Sequence, residues 1–169
     1  MLCEVYSSIG VATFVYKVLN GLPDIHRAIC TLCIAAGNYR AANTGPIDAI
    51  RLLEACEITL SEGQSVFVNT CIVPHTRMHT MSLVIEYTGA ILWDEIKLTF
   101  QKELNAITVP EAFNVDDTAK LFEFIRDHEI VDYLFLFTSS SKKISDNNAS
   151  LWIAFDDAYV FNRISEEVK

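Results

Sequence analysis

Two histidines four residues apart, in His75-Thr76-Arg77-Met78-His79-Thr80, come closest in type and spacing to a chemical site in this chain. On a helix they would face one way and share a metal ion, and the arginine between them would suit a phosphate. A metal centre needs a third ligand, which Glu54 or Glu57 would have to bring through the fold. Pro74 and the flanking strand-like segments instead place the hexapeptide in a turn, where an i, i+4 spacing has no geometric meaning. No metal is therefore expected. A hydrolase or phosphoesterase built on the His75/His79 loop stands as an alternative reading.

The cysteines point the same way. Cys30-Thr31-Leu32-Cys33 matches C-x-x-C, but a zinc ribbon needs a second such pair and a thioredoxin-like site needs a strand leading into a helix. With cysteines at 3, 30, 33, 56 and 71, an odd count without framework spacing, reduced and buried thiols acting as small apolar residues are expected. Cys–His catalysis would pair Cys71 or Cys56 with His75 or His128. Yet Cys71 reads as mid-strand among Thr70, Ile72 and Val73, an apolar setting unsuited to a reactive thiol. Gly21, Gly37, Gly45, Gly63 and Gly89 are isolated, so no glycine-rich phosphate loop exists. Carboxylates are so abundant that no one pair nominates itself. The residues thus indicate no catalytic site and no cofactor.

Charge is the stronger signal. Residues 1–84 carry six acids and five bases; residues 85–169 carry sixteen acids and eight bases, so the second half holds −8 of the net −9. Such a field attracts cationic partners and repels nucleic acid. The one basic doublet, Lys142-Lys143, lies in a polar loop within that acidic half, so direct nucleic-acid binding is rejected. Glu123, Asp127, Asp132, Asp156 and Asp157 are the expected partner-binding residues, with Glu123 and Asp127 one helical turn apart.

The elements that position these groups follow from periodicity. Residues 4–20 read as a helix apolar on every side, which requires burial by its own domain or by a partner, and a homodimer through it is one expectation. Further helices are expected over about 23–36, with Ile25, Ile29, Leu32 and Ala36 as its stripe, and over 46–57. The period then changes. Strands are expected over 65–73, 81–87, 91–101, 130–138, 151–155 and 158–164, with a helix over about 117–128 capped by Asp116-Asp117 and a polar loop over 139–150. The segment 91–101 is ambiguous: Ile96, Leu98 and Phe100 alternate as in a strand, while Leu92, Ile96, Phe100 and Leu104 fit a helix, and the alternation decides for strand.

These elements amount to a single α+β domain over 1–169, helical over 4–57 and mostly β over 65–164. N-terminal helices are followed by a mainly antiparallel sheet with one further helix. The apolar runs 9–19 and 28–36 fall short of the roughly 20 residues of a membrane span, and no basic, apolar leader opens the chain. A cytoplasmic location is expected, without membrane contact. Small size, acidity, an α+β pattern and the lack of catalytic motifs resemble the profile of immunity proteins from bacterial toxin–immunity pairs. The profile, not a sequence signature, carries that resemblance. It implies a non-catalytic inhibitor of a basic, nuclease-like toxin; a homo-oligomeric structural protein is the remaining alternative.

Overall fold

The computed structural model describes residues 25–35, 62–73, 78–90, 92–109, 111–115, 117–130, 133–137, 141–156 and Tyr159. The expected helices 4–20 and 46–57, and with them the homodimer contact, lie outside the described residues. The first described element is β1, Ile25–Ala35, where a helix was expected. A β-bulge between Ile25 and Arg27 explains the misreading. It resets the alternation, so that Ile25, Ala28, Cys30 and Leu32 all enter the core. The resulting spacing of three, two and two mimics part of a helical stripe.

Strand β2, Ser65–Val73, runs parallel to β1, and β3, His79–Tyr87, runs antiparallel on the other side of β1. Next comes α1, Trp93–Leu104, in place of the expected strand over 91–101. Ile96, Phe100 and Leu104 are buried at i, i+4 and i+8, whereas Leu98 is 63% exposed. The helical stripe prevails because it gives the sheet an apolar cover, while a strand would have turned Leu98 inward with its neighbours. Asn105 ends α1 in the left-handed conformation, φ 49°, which asparagine tolerates well.

Strand β4, Ala106–Val109, is followed by a 3-10 turn at Glu111–Phe113 and by α2, Thr118–Asp127. The Asp117 carboxylate caps α2 by accepting the Lys120 N–H at 2.8 Å. Its buried side chain is Leu121, with Phe122 and Ile125 partly covered and Ala119 exposed rather than inward. Strand β5, Leu134–Phe137, then lies parallel to β4, so β4, α2 and β5 form a crossover unit. The expected polar loop over 139–150 is instead a hairpin, β6 Lys142–Ser145 and β7 Asn148–Phe155. At Tyr159, within the expected strand 158–164, the chain is helical.

The strands form one mixed sheet in the order β2-β1-β3-β7-β5-β4, with β6 also on β7. Its two described helices cover opposite faces. Ile96, Phe100 and Leu104 of α1 pack with Met81, Leu83, Ile85, Leu151 and Ile153. Leu121 of α2 packs on the reverse side with Val109, Phe135, Phe137 and Ala154. Alternation along β5 serves both layers: Leu134 and Leu136 point one way, Phe135 and Phe137 the other. A mixed sheet with few helices therefore replaces the expected helices-then-antiparallel-sheet arrangement.

The two readings of 91–101 differ over two substitutions. Phe100→Ala should destabilise by about 3–5 kcal/mol. Leu98→Ala should stay within about 0.5 kcal/mol. Urea unfolding of both variants checks this, and equal losses would restore the strand.

Candidate functional site

One end of the sheet gathers polar and aromatic groups. There the carboxyl ends of β1, β2 and β7 meet the amino end of β3. Crevices beyond strand carboxyl ends are the usual ligand sites of α/β sheets. His79 opens β3 and is only 2% exposed. Met78 before it holds φ 60°, a left-handed conformation that an unbranched side chain adopts at a cost of about 1–3 kcal/mol. That residue turns the chain into β3 and aims His79 at the core side of the sheet.

An aromatic row fixes the imidazole. Phe155 is its partner across β3 and β7, with ring centroids 5.7 Å apart and planes tilted by 45°. Tyr159 stands 6.3 Å beyond Phe155, and its hydroxyl donates to the Leu104 carbonyl at 2.6 Å, tying the row to the end of α1. The Asp156 carboxylate accepts the Tyr159 N–H at 2.8 Å and holds that turn. The arrangement places one buried imidazole on an aromatic floor at this end of the sheet.

The other proposed groups are dispersed. Of the histidine hexapeptide, Met78, His79 and Thr80 are described; His75 and Arg77, like Glu54, Cys56 and Glu57, lie outside the described residues. His79 sits in a strand, not in the turn expected for it. His128 is exposed at the end of α2, its Nδ1 2.9 Å from the Phe124 carbonyl, and it packs with Phe113 and Phe124. Among the described residues no three His, Cys, Asp or Glu side chains gather as a metal site would require.

Strand geometry separates the C-x-x-C cysteines. Residues three apart on a strand face opposite ways. Cys30 is buried with its thiol 2.8 Å from the Met81 sulfur, and burial pushes that thiol well up, so it stays protonated. Cys33 lies on the other face, where its sulfur is 3.4 Å from that of Cys71. Cys71 is exposed, not enclosed in the apolar setting expected for it. Parity within a strand 25–35 would have separated Cys30 from Cys33, which the helical reading hid; the pairing with Cys71 follows from the register of β1 on β2.

Among the expected partner-binding acids, Glu123 and Asp127 are exposed on α2, and Asp127 pairs with its neighbour Arg126 at 2.9 Å. Asp156 is exposed and serves as the cap described above. Asp132 and Asp157 lie outside the described residues. Three other described acids pair with cations: Asp94 with Lys97 at 2.6 Å, Asp146 with Lys143 at 3.0 Å, and Glu86 with Arg27 at 3.3 Å.

No family model matches the chain. It is similar to two archaeal glyceraldehyde-3-phosphate dehydrogenases. That of Methanococcus vannielii is 29% identical over 129 residues, which is 70% of this chain and 37% of the relative. That of Methanocaldococcus jannaschii is 27% identical over 128 residues, with the same coverage. Among solved structures, a probable aspartate-semialdehyde dehydrogenase from Pseudomonas aeruginosa superposes on 94% of this chain and 60% of its own, with TM-score 0.56 and 12% identity. Aspartate semialdehyde dehydrogenase II from Vibrio cholerae does so on 94% and 54%, with TM-score 0.58 and 15% identity. The fold is dehydrogenase-like. The chain spans little more than a third of the curated relatives' length, 37%.

These likenesses overturn the immunity-protein reading, its basic toxin partner and the alternatives of a hydrolase or a structural oligomer. Of the acids that suggested a recognition surface, Asp127 pairs with Arg126 and Asp156 caps the turn at Tyr159. No helix among the described residues is long and apolar enough to cross a membrane.

Removing the Tyr159 hydroxyl tests the floor of the site. Tyr159→Phe leaves the buried Leu104 carbonyl without its donor and should destabilise by about 1–3 kcal/mol, read by urea unfolding. An unchanged midpoint would mean that the row is not anchored at α1.

Proposed function

We propose that this chain is the substrate-handling part of a cytoplasmic oxidoreductase that interconverts an aldehyde and an acid derivative. The similarity over 128–129 residues to glyceraldehyde-3-phosphate dehydrogenases carries the reading, and the fold shared with two semialdehyde dehydrogenases supports it. His79 is the acid–base residue of this proposal. Held against Phe155 and shielded from bulk water, its ring takes up or returns the proton that moves as the carbonyl carbon changes oxidation state.

A dehydrogenase also needs a redox cofactor, and a nicotinamide dinucleotide is the obvious one. The described residues do not fit it. Dinucleotide phosphates are held at a helix N-terminus behind a glycine-rich turn. The turn before α2 contains no glycine, and the Asp117 carboxylate already occupies a backbone donor there. At α1, Asp94 and Glu95 fill the first turn, and the Glu95 carboxylate accepts the Leu92 N–H at 3.4 Å. Both N-termini would repel a pyrophosphate. The described sheet is thus assigned the substrate rather than the dinucleotide.

Five cations of the described residues are already engaged and so are not assigned to the anionic group of a phosphorylated aldehyde. Arg27, Lys97, Lys102, Arg126 and Lys143 each lie within ion-pair distance of a carboxylate. The reading therefore stops at a small aldehyde and leaves its substituent open.

The test is turnover by the full-length protein with nicotinamide dinucleotides and a panel including glyceraldehyde 3-phosphate and aspartate semialdehyde, followed by reduced-nicotinamide absorbance. His79→Gln should lower kcat by about a hundred- to ten-thousand-fold while leaving the circular dichroism unchanged. Full activity in a folded His79→Gln protein would remove His79 from the chemistry. Failure of every aldehyde would remove the function.

A further inference from the structure

Strand register brings two thiols together on the sheet face opposite α1. Cys33 of β1 and Cys71 of β2 are direct partners in the parallel pair, and their sulfurs are 3.4 Å apart. Paired residues on neighbouring strands hold their Cα atoms about 4.8 Å apart. That separation lies inside the window of about 4.4–6.8 Å that disulfides require. Cys71 is exposed on β2, the outermost of the described strands, and Cys33 is half-buried beside it. The remaining described cysteine, Cys30, is sealed on the opposite side against Met81.

We propose that Cys33 and Cys71 are a reversible redox couple, a dithiol that closes to a disulfide across β1 and β2 when oxidised by a peroxide or by a small-molecule disulfide. Exposed Cys71 reacts first. Its thiolate attacks one peroxide oxygen, the S–O bond forms, the O–O bond breaks, and hydroxide departs to be protonated to water. Cys33 then attacks the Cys71 sulfur, the S–S bond forms, and the S–O oxygen leaves as a second water. Two thiols have lost two electrons and two protons, and the peroxide has become two waters. With a small disulfide as oxidant, Cys71 first forms a mixed disulfide with release of one thiol, and Cys33 displaces the second.

The order follows from access and charge. Burial, and then the neighbouring Cys71 sulfur, raise the Cys33 thiol above its ordinary value, with a smaller opposing effect from the Thr80 hydroxyl. Cys33 is therefore the partner that waits. Closure would tie β2 to β1 across a sequence separation of 38 residues, at the same sheet end as His79. This couple stands whether or not the chain acts on aldehydes.

The experiment treats full-length protein with stoichiometric hydrogen peroxide, or with a glutathione disulfide buffer, then alkylates free thiols and maps peptides by mass spectrometry. A peptide joining Cys33 to Cys71 is expected, absent in Cys33→Ser and Cys71→Ser and retained in Cys30→Ala. Oxidation should raise Tm by about 5–10 °C, reversed by dithiothreitol and missing in Cys71→Ser. Since Cys71 is exposed, that variant should fold, and unchanged circular dichroism checks it. Overoxidised or singly capped Cys71 beside an alkylated Cys33, a bridge to any other cysteine, or two thiols left free would each overturn the proposal.

Discussion

Strand β3 is hydrogen-bonded along both edges, to β1 and to β7, and this double pairing sets the direction of every side chain it carries. Met81, Leu83, Ile85 and Tyr87 point into the core, and His79 belongs to the same series. A slip of one residue would expel all five and bury Ser82 and Glu86, so the register is held by the whole apolar layer. The histidine is buried because its four successors must be. Its position costs little extra once the sheet has formed, and the left-handed turn at Met78 is the one local strain needed to begin the series.

The same layer organises the helices. Helix α1 must follow β3 closely because the face carrying Leu83 and Ile85 needs a cover, and Ile96, Phe100 and Leu104 provide it. Where α1 ends, the Leu104 carbonyl has lost its helical partner, and the Tyr159 hydroxyl supplies the hydrogen bond. That bond closes a circuit from β3 through Phe155 and Tyr159 to α1. The candidate site is therefore a by-product of finishing a helix and a sheet at the same corner, where Phe155, Tyr159 and Asp156 serve both.

Strand β2 and helix α2 were legible in the sequence because one signal dominates each: β-branched alternation over 65–73, and an aspartate cap over 117–128. Strand β1 was not legible, since its bulge breaks the period of two and both faces carry apolar residues beside two neighbouring strands. Helix α1 contains a true alternation at Ile96, Leu98 and Phe100, and only the tertiary cover decides against it. His79 could be singled out by type, but its burial depended on extending β3 two residues beyond the apolar run that begins at Met81. The Cys33–Cys71 contact required both the strand state of 25–35 and the register of β1 on β2, and neither is encoded locally.

Charge misled for a different reason. Net charge governs solubility and encounter rates, and it says little about fold or chemistry. Six described acids of the second half act at short range: Asp117 on the first turn of α2, Glu95 on that of α1, Asp156 on the turn at Tyr159, and Asp94, Asp127 and Asp146 on cations within three residues. Carboxylates used this way stabilise helix starts, and by the same act they close those helix starts to phosphate. At both described helix starts a carboxylate thus stands where an anion would otherwise bind. On the proposed reading, a redox cofactor would be held away from these two helix starts, and the sheet would contribute the buried His79 at its end.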